Sequence, residues 1–383
     1  MADEEMMAMS DLARAIRMGM VGGGRDAFIG GVHRMAAALD GSMELVAGAL
    51  SSTPEKAVAS GLDLGLEQDR CYGSWQDLLA GELARPEAER IEVVVIVTPN
   101  HVHFPVAKAA LEAGFHVVCD KPMVCTSEEA DALVAAQASS KRVFAVTYNY
   151  TGYPMVKQMR AIVRGGAIGA VRKVMVEYLQ GWLATPLEQT GQKQASWRSD
   201  PAKAGAGGAM GDIGSHAENL VAYVTGLGVT DVTANVTTHV ADRLLDDDVS
   251  VLLGFDNGAT GILTASQICP GSRNGLRLRV WGETGGADWR QEAPNQLLQT
   301  SLDGPDIVHR TADPGVCNAT TMATRLPGGH PEGFIEAFAN IYRSVAAAIH
   351  AGRDDGDGFD YPDVRDGARG VRFIERVVGV DGS

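Results

Sequence analysis

The stretch IEVVVIVTPNHVHFPVAKAALEAGFHVVCDKPM, residues 91–123, decides the fold. Residues 91–97 are dominated by Val and Ile, which suits a strand buried on both faces of a parallel sheet. The run breaks at Thr98-Pro99-Asn100-His101, at the carboxyl end of that strand. Open α/β sheets bind their ligands at this edge. Residues 105–113 have helical composition, Gly114 ends them, and residues 116–119 begin the next strand. That strand delivers Asp120, Lys121 and Pro122 to the same edge. Pro122 restricts the backbone of the residue before it, so Lys121 reads as a placed lysine. Taken alone, the segment equally fits a solvated lysine at a strand end, and the rest of the chain has to decide.

Upstream, residues 17–21 lead into Gly22-Gly23-Gly24, then Arg25-Asp26-Ala27-Phe28-Ile29, then Gly30 and Gly31. Residues 32–39 are helical in composition and residues 44–50 form a second strand. Strand, glycine turn, helix and strand open a dinucleotide-binding βαβ unit, in which the backbone approaches a pyrophosphate and the helix N-terminus offers unpaired N–H groups. The spacing is unorthodox: Gly24 to Gly30 spans six positions where the usual fingerprint has three. Alternating units continue to a strand at residues 143–146. They imply an α/β fold with a doubly wound parallel sheet over residues 1–148.

After Tyr148 the texture changes. A helix is expected at residues 155–163 and a strand at 171–179, followed by a long polar loop over 185–208. Further strands are expected at 229–240, 249–255, 259–266 and 276–282, with a hairpin signal at Asp256-Asn257-Gly258. Successive strands without helices between them point to a second, α+β domain over 149–383 with a largely antiparallel sheet. The apolar tail at residues 333–351 is expected to pack on that second domain. Asp354-Asp355-Gly356-Asp357 lacks the spacing of a calcium loop and reads as a solvated acidic loop.

Composition limits the function. At 383 residues the chain is long enough for two domains. A net charge of −15 argues against a nucleic-acid or anionic-membrane surface. An anionic cofactor is still allowed, because backbone N–H groups can build a phosphate site locally. Five scattered cysteines without a C-x-x-C pair fit free thiols in a reducing compartment. The N-terminal segment is acidic before it is apolar, unlike a secretory signal, and no run of about 18 apolar residues occurs. The expected location is cytoplasmic.

The second distinctive segment is GAGGAMGDIGSHAENL, residues 205–220. Asp212 and His216 are four apart and share one face of a helix. Such a pair can relay a proton, the imidazole accepting it and the carboxylate orienting the ring. A capping Asp212 beside a surface His216 is the plain alternative. No metal site is expected, since Glu218 does not share that face and further ligands are lacking.

With both segments in view, the chain resembles the Gfo/Idh/MocA family of NAD(P)-dependent oxidoreductases. The resemblance rests on Gly22–Gly24 with Gly30, Thr98-Pro99-Asn100 with His103, Asp120-Lys121-Pro122, and Asp212 with His216. The family's usual tripeptide is Glu-Lys-Pro, so Asp120 is a conservative departure. The resemblance implies an N-terminal Rossmann domain, a C-terminal domain on an open sheet, and homodimers or homotetramers formed through that sheet. It also implies oxidation of a secondary alcohol, with His216 as general base, Lys121 hydrogen-bonded to the reacting oxygen and Asp212 orienting His216 or binding a neighbouring hydroxyl.

The cofactor set expected is Gly22, Gly24, Phe28, Ile29, Gly30, Ser51, Ser52, Lys56, Thr98, Pro99, Asn100, His103, Asp120 and Lys121. The second strand ends in Ser51, Ser52 and nearby Lys56 where an Asp or Glu would hold an NAD ribose. This leans weakly towards NADP, although Ser52 or Thr53 before Pro54 also suits a helix cap. Substrate contacts are expected from Lys121, Asn149, Tyr153, Trp197, Arg198, Asp212, His216 and His330, with Trp182, Gln192 and Lys193 in the same loop region. Flat aromatic faces mixed with hydrogen-bond donors suit a neutral cyclic polyol or sugar. Reduction of an imine or another carbonyl compound, and a cofactor-binding regulator without catalysis, are the competing readings.

Overall fold

The computed structural model describes residues 14–353 and 358–380. The first 13 residues and the acidic run 354–357 lie outside them. Five parallel strands form the first sheet: β1 (Ile16–Gly22), β2 (Met43–Ala49), β3 (Val93–Val97), β4 (His116–Cys119) and β5 (Phe144–Val146), in the order β2-β1-β3-β4-β5. Every residue of β3 is buried, as a strand covered on both faces by helices requires. The order reverses at β1, so the carboxyl ends of β1 and β3 open a crevice there.

Eight strands form the second sheet. They are β6 (Val171–Leu179), β7 (Val229–Thr237), β8 (Asp248–Phe255), β9 (Thr260–Ser266), β10 (Gly275–Gly282), β11 (Gly285–Arg290), β12 (Gln296–Ser301) and β13 (Ile307–Arg310), in the order β13-β12-β11-β10-β6-β9-β8-β7. All pairs are antiparallel except β6 with β9. Gly258, at φ +83°, turns the β8–β9 hairpin. Strand alternation did not disclose β11–β13, which are short and carry Gly285-Gly286, Arg290 and Gln296 among their apolar positions. The expected loop at 185–208 contains short helical segments, Leu187–Thr190, Lys193–Arg198 and Pro201–Ala204.

The tail helix Phe334–His350, expected on the second domain, packs chiefly on the first, while its Ala337 joins the core under the second sheet. Its Phe338, Ile341, Tyr342 and Val345 share one core with Ile16, Met18, Val32, Val93 and Val95. The last helix, Val364–Val378, spans both halves. Val364, Ala368 and Val371 join the core behind β5, and Phe373, Ile374 and Val377 join the core under the second sheet. Among the described residues no helix is long and apolar enough to cross a membrane. All five cysteines are unpaired.

Candidate active site

Two cavities meet at the carboxyl edge of the first sheet. A groove of about 440 Å³ runs along the ends of β1, β2 and β3. Gly22, Gly24, Ser51, Ser52, Lys56, Thr98, Pro99 and Asn100 line it, together with Ile29, Asp120, Lys121, Lys193, Trp197 and Arg198. The glycines are needed for packing. A Cβ on Gly24 would lie 2.5 Å from the Leu50 carbonyl oxygen, and one on Gly22, at φ +81°, 2.8 Å from that of Val97. Bare backbone therefore forms the wall at the N-terminus of the helix Phe28–Leu39, which leaves room for a pyrophosphate there. The groove's shape and lining fit a dinucleotide.

Gly30 does not line the groove. Its Cα packs on the glycine turn, and a Cβ there would sit 2.3 Å from the Gly23 carbonyl oxygen. His103 is likewise absent from the lining, because it is fully buried, with its ring set between the carbonyls of Thr98 (2.9 Å from Nε2) and Pro122 (3.0 Å from Nδ1), to one of which it donates. It ties the loop after β3 to the turn after β4. Asn100 extends that tie to the second domain by donating to the Ala204 carbonyl at 2.8 Å. Lys56 pairs with Asp26 at 2.9 Å and Arg25 with Asp63 at 2.5 Å, at the outer end of the groove.

The second cavity, a chamber of about 570 Å³, lies between the two sheets. Asp120, Lys121 and Thr147 come from the first domain and Asn149 from the turn that follows it; Asp212 and His216 come from the segment under the second sheet. Asp120 is anchored by accepting hydrogen bonds from the Lys121 amide and the Thr147 hydroxyl, both at 2.9 Å. Lys121, Asp120, Ile29, Gln194 and Arg198 line both cavities.

Asp212 is positioned from behind. Asp246 accepts hydrogen bonds from the amides of Gly208 (2.6 Å) and Met210 (2.7 Å), which fixes the start of a π-helical turn, Met210–Gly214. Such turns recur at functional sites. The Asp212 carboxylate takes Lys121 Nζ at 2.8 Å on one oxygen; on the other it takes Gln267 Nε2 at 2.8 Å and the Arg198 guanidinium at 3.4 Å. Burial pushes the Asp212 carboxyl up, but Lys121 and Arg198 more than reverse this and hold it far below the usual carboxylate range.

His216 faces the same chamber, yet no hydrogen bond joins it to Asp212, which corrects the expected Asp–His pair. The carboxylate is turned to Lys121 and Gln267, with Arg198 beside it. His216 is instead boxed by aromatic rings, with centroids of Tyr150 at 4.8 Å and Tyr148 at 5.7 Å, and its buried Nδ1 has no partner. Burial, followed by the nearby Lys121 charge, lowers its pKa well below the ordinary value, so the imidazole is neutral.

The remaining expected residues divide. Asn149 and Arg198 line the chamber, whereas Trp197 lies in the groove, stacked under the Arg198 guanidinium at 4.3 Å. Tyr153 is buried behind Tyr150 and reaches the chamber only through Gln291 Nε2, which donates to its hydroxyl at 3.3 Å. His330 lies outside it. Glu332 accepts from the amides of Arg325 and Leu326, and Arg325 clasps Asp40, turning the segment onto the first domain with His330 exposed. Sequence reasoning missed Asn274, Gln291, Phe334 and Gln267. Asn274 closes a ring of hydrogen bonds with Tyr150, Tyr178 and Gln180 on the far wall. Among the described residues no group of three His, Cys, Asp or Glu is placed to hold a metal ion.

Known proteins share this fold. Residues 16–148 match the model of an oxidoreductase family with an NAD-binding Rossmann fold, and residues 156–288 match the GFO/IDH/MocA C-terminal domain. The uncharacterized oxidoreductase YfiI of Bacillus subtilis (strain 168) is 35% identical over 96% of this chain and 95% of its own. An inositol dehydrogenase homolog from Azotobacter vinelandii, solved with NADH and myo-inositol, is 35% identical with a TM-score of 0.90, covering 97% of this chain and 96% of that one. Levoglucosan dehydrogenase of Pseudarthrobacter phenanthrenivorans is 29% identical over 74% of this chain and 75% of its own. The chain belongs to the GFO/IDH/MocA family of oxidoreductases, with an NAD-binding Rossmann fold.

Proposed function

We propose that the protein transfers hydride between a nicotinamide cofactor and a secondary alcohol or ketone of a neutral cyclic polyol or sugar. The observation that carries this reading is the place of Lys121, whose side chain lines both groove and chamber and is paired with Asp212. A nicotinamide nucleotide bound in the groove supplies the group that takes up or gives the hydride. Lys121 is placed to hydrogen-bond the reacting oxygen and stabilise negative charge on it. Neutral His216 takes the hydroxyl proton during oxidation and returns it during reduction. Asp212 holds the ammonium in position and neutralises it between turnovers.

The lining supports the substrate class. Charges cluster where Lys121 and Arg198 stand against Asp212 and Asp120, and the rest of the wall carries the neutral amides of Asn149, Gln180, Gln192, Asn274 and Gln291. Amides and hydroxyl-bearing rings match a polyol rim better than a phosphate. The inositol dehydrogenase homolog and levoglucosan dehydrogenase point the same way. At the outer end of the groove, Ser51, Ser52 and Lys56 favour acceptance of a 2′-phosphate. Asp26 already engages Lys56, so we expect only a modest preference for NADP over NAD. Five free thiols accord with a cytoplasmic location, and the open second sheet with a homodimer or homotetramer. The test is nicotinamide absorbance with a panel of inositols, pyranosides and hexoses, each offered with NAD and with NADP. Turnover of a ring polyol or sugar supports the reading. Turnover confined to imines or other carbonyl compounds, or none, rejects it.

A further inference from the structure

The wide interval between Gly24 and Gly30 has a consequence in the chamber. Gly30 still packs on Gly23 as a third glycine would, so the additional residues leave the turn as a bulge. Its first part is fastened outward. The Arg25 amide donates to Ser60 Oγ at 3.2 Å, its guanidinium pairs with Asp63, and Asp26, at φ +65°, pairs with Lys56. All three contacts reach the helix Pro54–Asp63. Phe28 and Ile29, which follow the bulge and begin the helix Phe28–Leu39, face the chamber instead.

We propose that Phe28 is a substrate-contacting residue that covers an apolar face of a ring polyol or sugar in the chamber, so that the cofactor loop itself takes part in substrate selection. This rests on the substrate class inferred above. Phe28 lines the chamber but not the groove, whereas Ile29 lines both. It is 72% exposed, whereas among the other chamber aromatics Tyr150, Tyr178 and Phe338 are only 2–4% exposed and Trp182 and Phe334 are half-buried. A large aromatic face so exposed, beside a wall of amides, offers what a ring's C–H face needs. The ring is presented from the first turn of the helix Phe28–Leu39, whose glycine Gly30 packs against Gly23.

The test compares wild type with Phe28→Ala and Phe28→Tyr, using a ring polyol or sugar that the wild type turns over. We expect Phe28→Ala to raise KM about tenfold, with a much smaller effect on kcat, and Phe28→Tyr to restore most of the loss. NADH affinity, measured by fluorescence, should move less than twofold. Unchanged KM in Phe28→Ala overturns the assignment. So does a loss of NADH affinity that accounts for the change, which would make Phe28 a cofactor contact. Failure of the wild type on every ring substrate removes the parent reading and this inference together, and is seen in a different arm of the experiment.

Discussion

Replacing His116 with Asn should remove part of the protein's sensitivity to mild acid. His116 Nδ1 accepts the Val143 amide at 2.9 Å, joining the start of β4 to the residue before β5. Burial, reinforced by Arg142, pushes its pKa down to about 4. Fully buried His33, hydrogen-bonded to the Tyr342 hydroxyl at 2.7 Å, is also pushed down by burial to about 4. In the unfolded chain both titrate near 6.5. Each folded pKa lies below the unfolded one, so the unfolded chain binds the proton first and stability falls as pH drops from about 6.5 towards 4. At pH 5.5 the loss is about 1.4 kcal/mol for each histidine, approaching about 3.4 kcal/mol each below pH 4. Glu218, Asp246 and Asp363, raised by burial, act in the opposite sense; comparing variant with wild type cancels them. Asn offers an amide oxygen to Val143 and does not titrate. Urea unfolding followed by tryptophan fluorescence at pH 7.5 and 5.5 measures the difference. The variant should lose about 1.4 kcal/mol less than wild type over that interval. Equal losses in the two proteins would refute the assignment of a neutral, hydrogen-bonding His116.

Lys121→Met should lower kcat by about a thousandfold while leaving NADH binding within a few-fold; a smaller effect on kcat would show that the ammonium does not act on the reacting oxygen. Gly30→Ala sets a methyl against the Gly23 backbone and should cost about 1–3 kcal/mol of stability, with weaker NADH binding. Thermal unfolding and fluorescence titration check both parts, and a variant with wild-type stability and affinity would contradict the packing described for the turn.

Much of the site was legible because its chemistry sits on local signals. Lys121 follows a buried strand, and Asp212 and His216 fall in one glycine-rich segment, so neighbours along the chain carry the pattern. The partners of these residues carry no such signal. Gln267 follows β9 and Asn274 precedes β10, and only the strand order of the second sheet brings them to Asp212 and Tyr150. The absent Asp212–His216 hydrogen bond has the same origin: spacing places two side chains on one face, but which donors reach a carboxylate first depends on Gln267 and Arg198 from elsewhere. His330 lies away from the chamber because residues 325–332 around it are held by Glu332 and Arg325 rather than by the site. The tail's apolar spacing announced a buried helix, but spacing alone does not say which sheet it covers.

That tail sets a timetable for synthesis. A ribosome that has completed the fifth parallel strand must add about 200 more residues before Phe338, Ile341, Tyr342 and Val345 emerge to cover Ile16, Met18 and Val93. At ordinary elongation rates this takes roughly 10–40 s. Through that interval the nascent nucleotide-binding half carries an uncovered apolar face, so its vulnerability to aggregation is set by the pace of translation over the second domain.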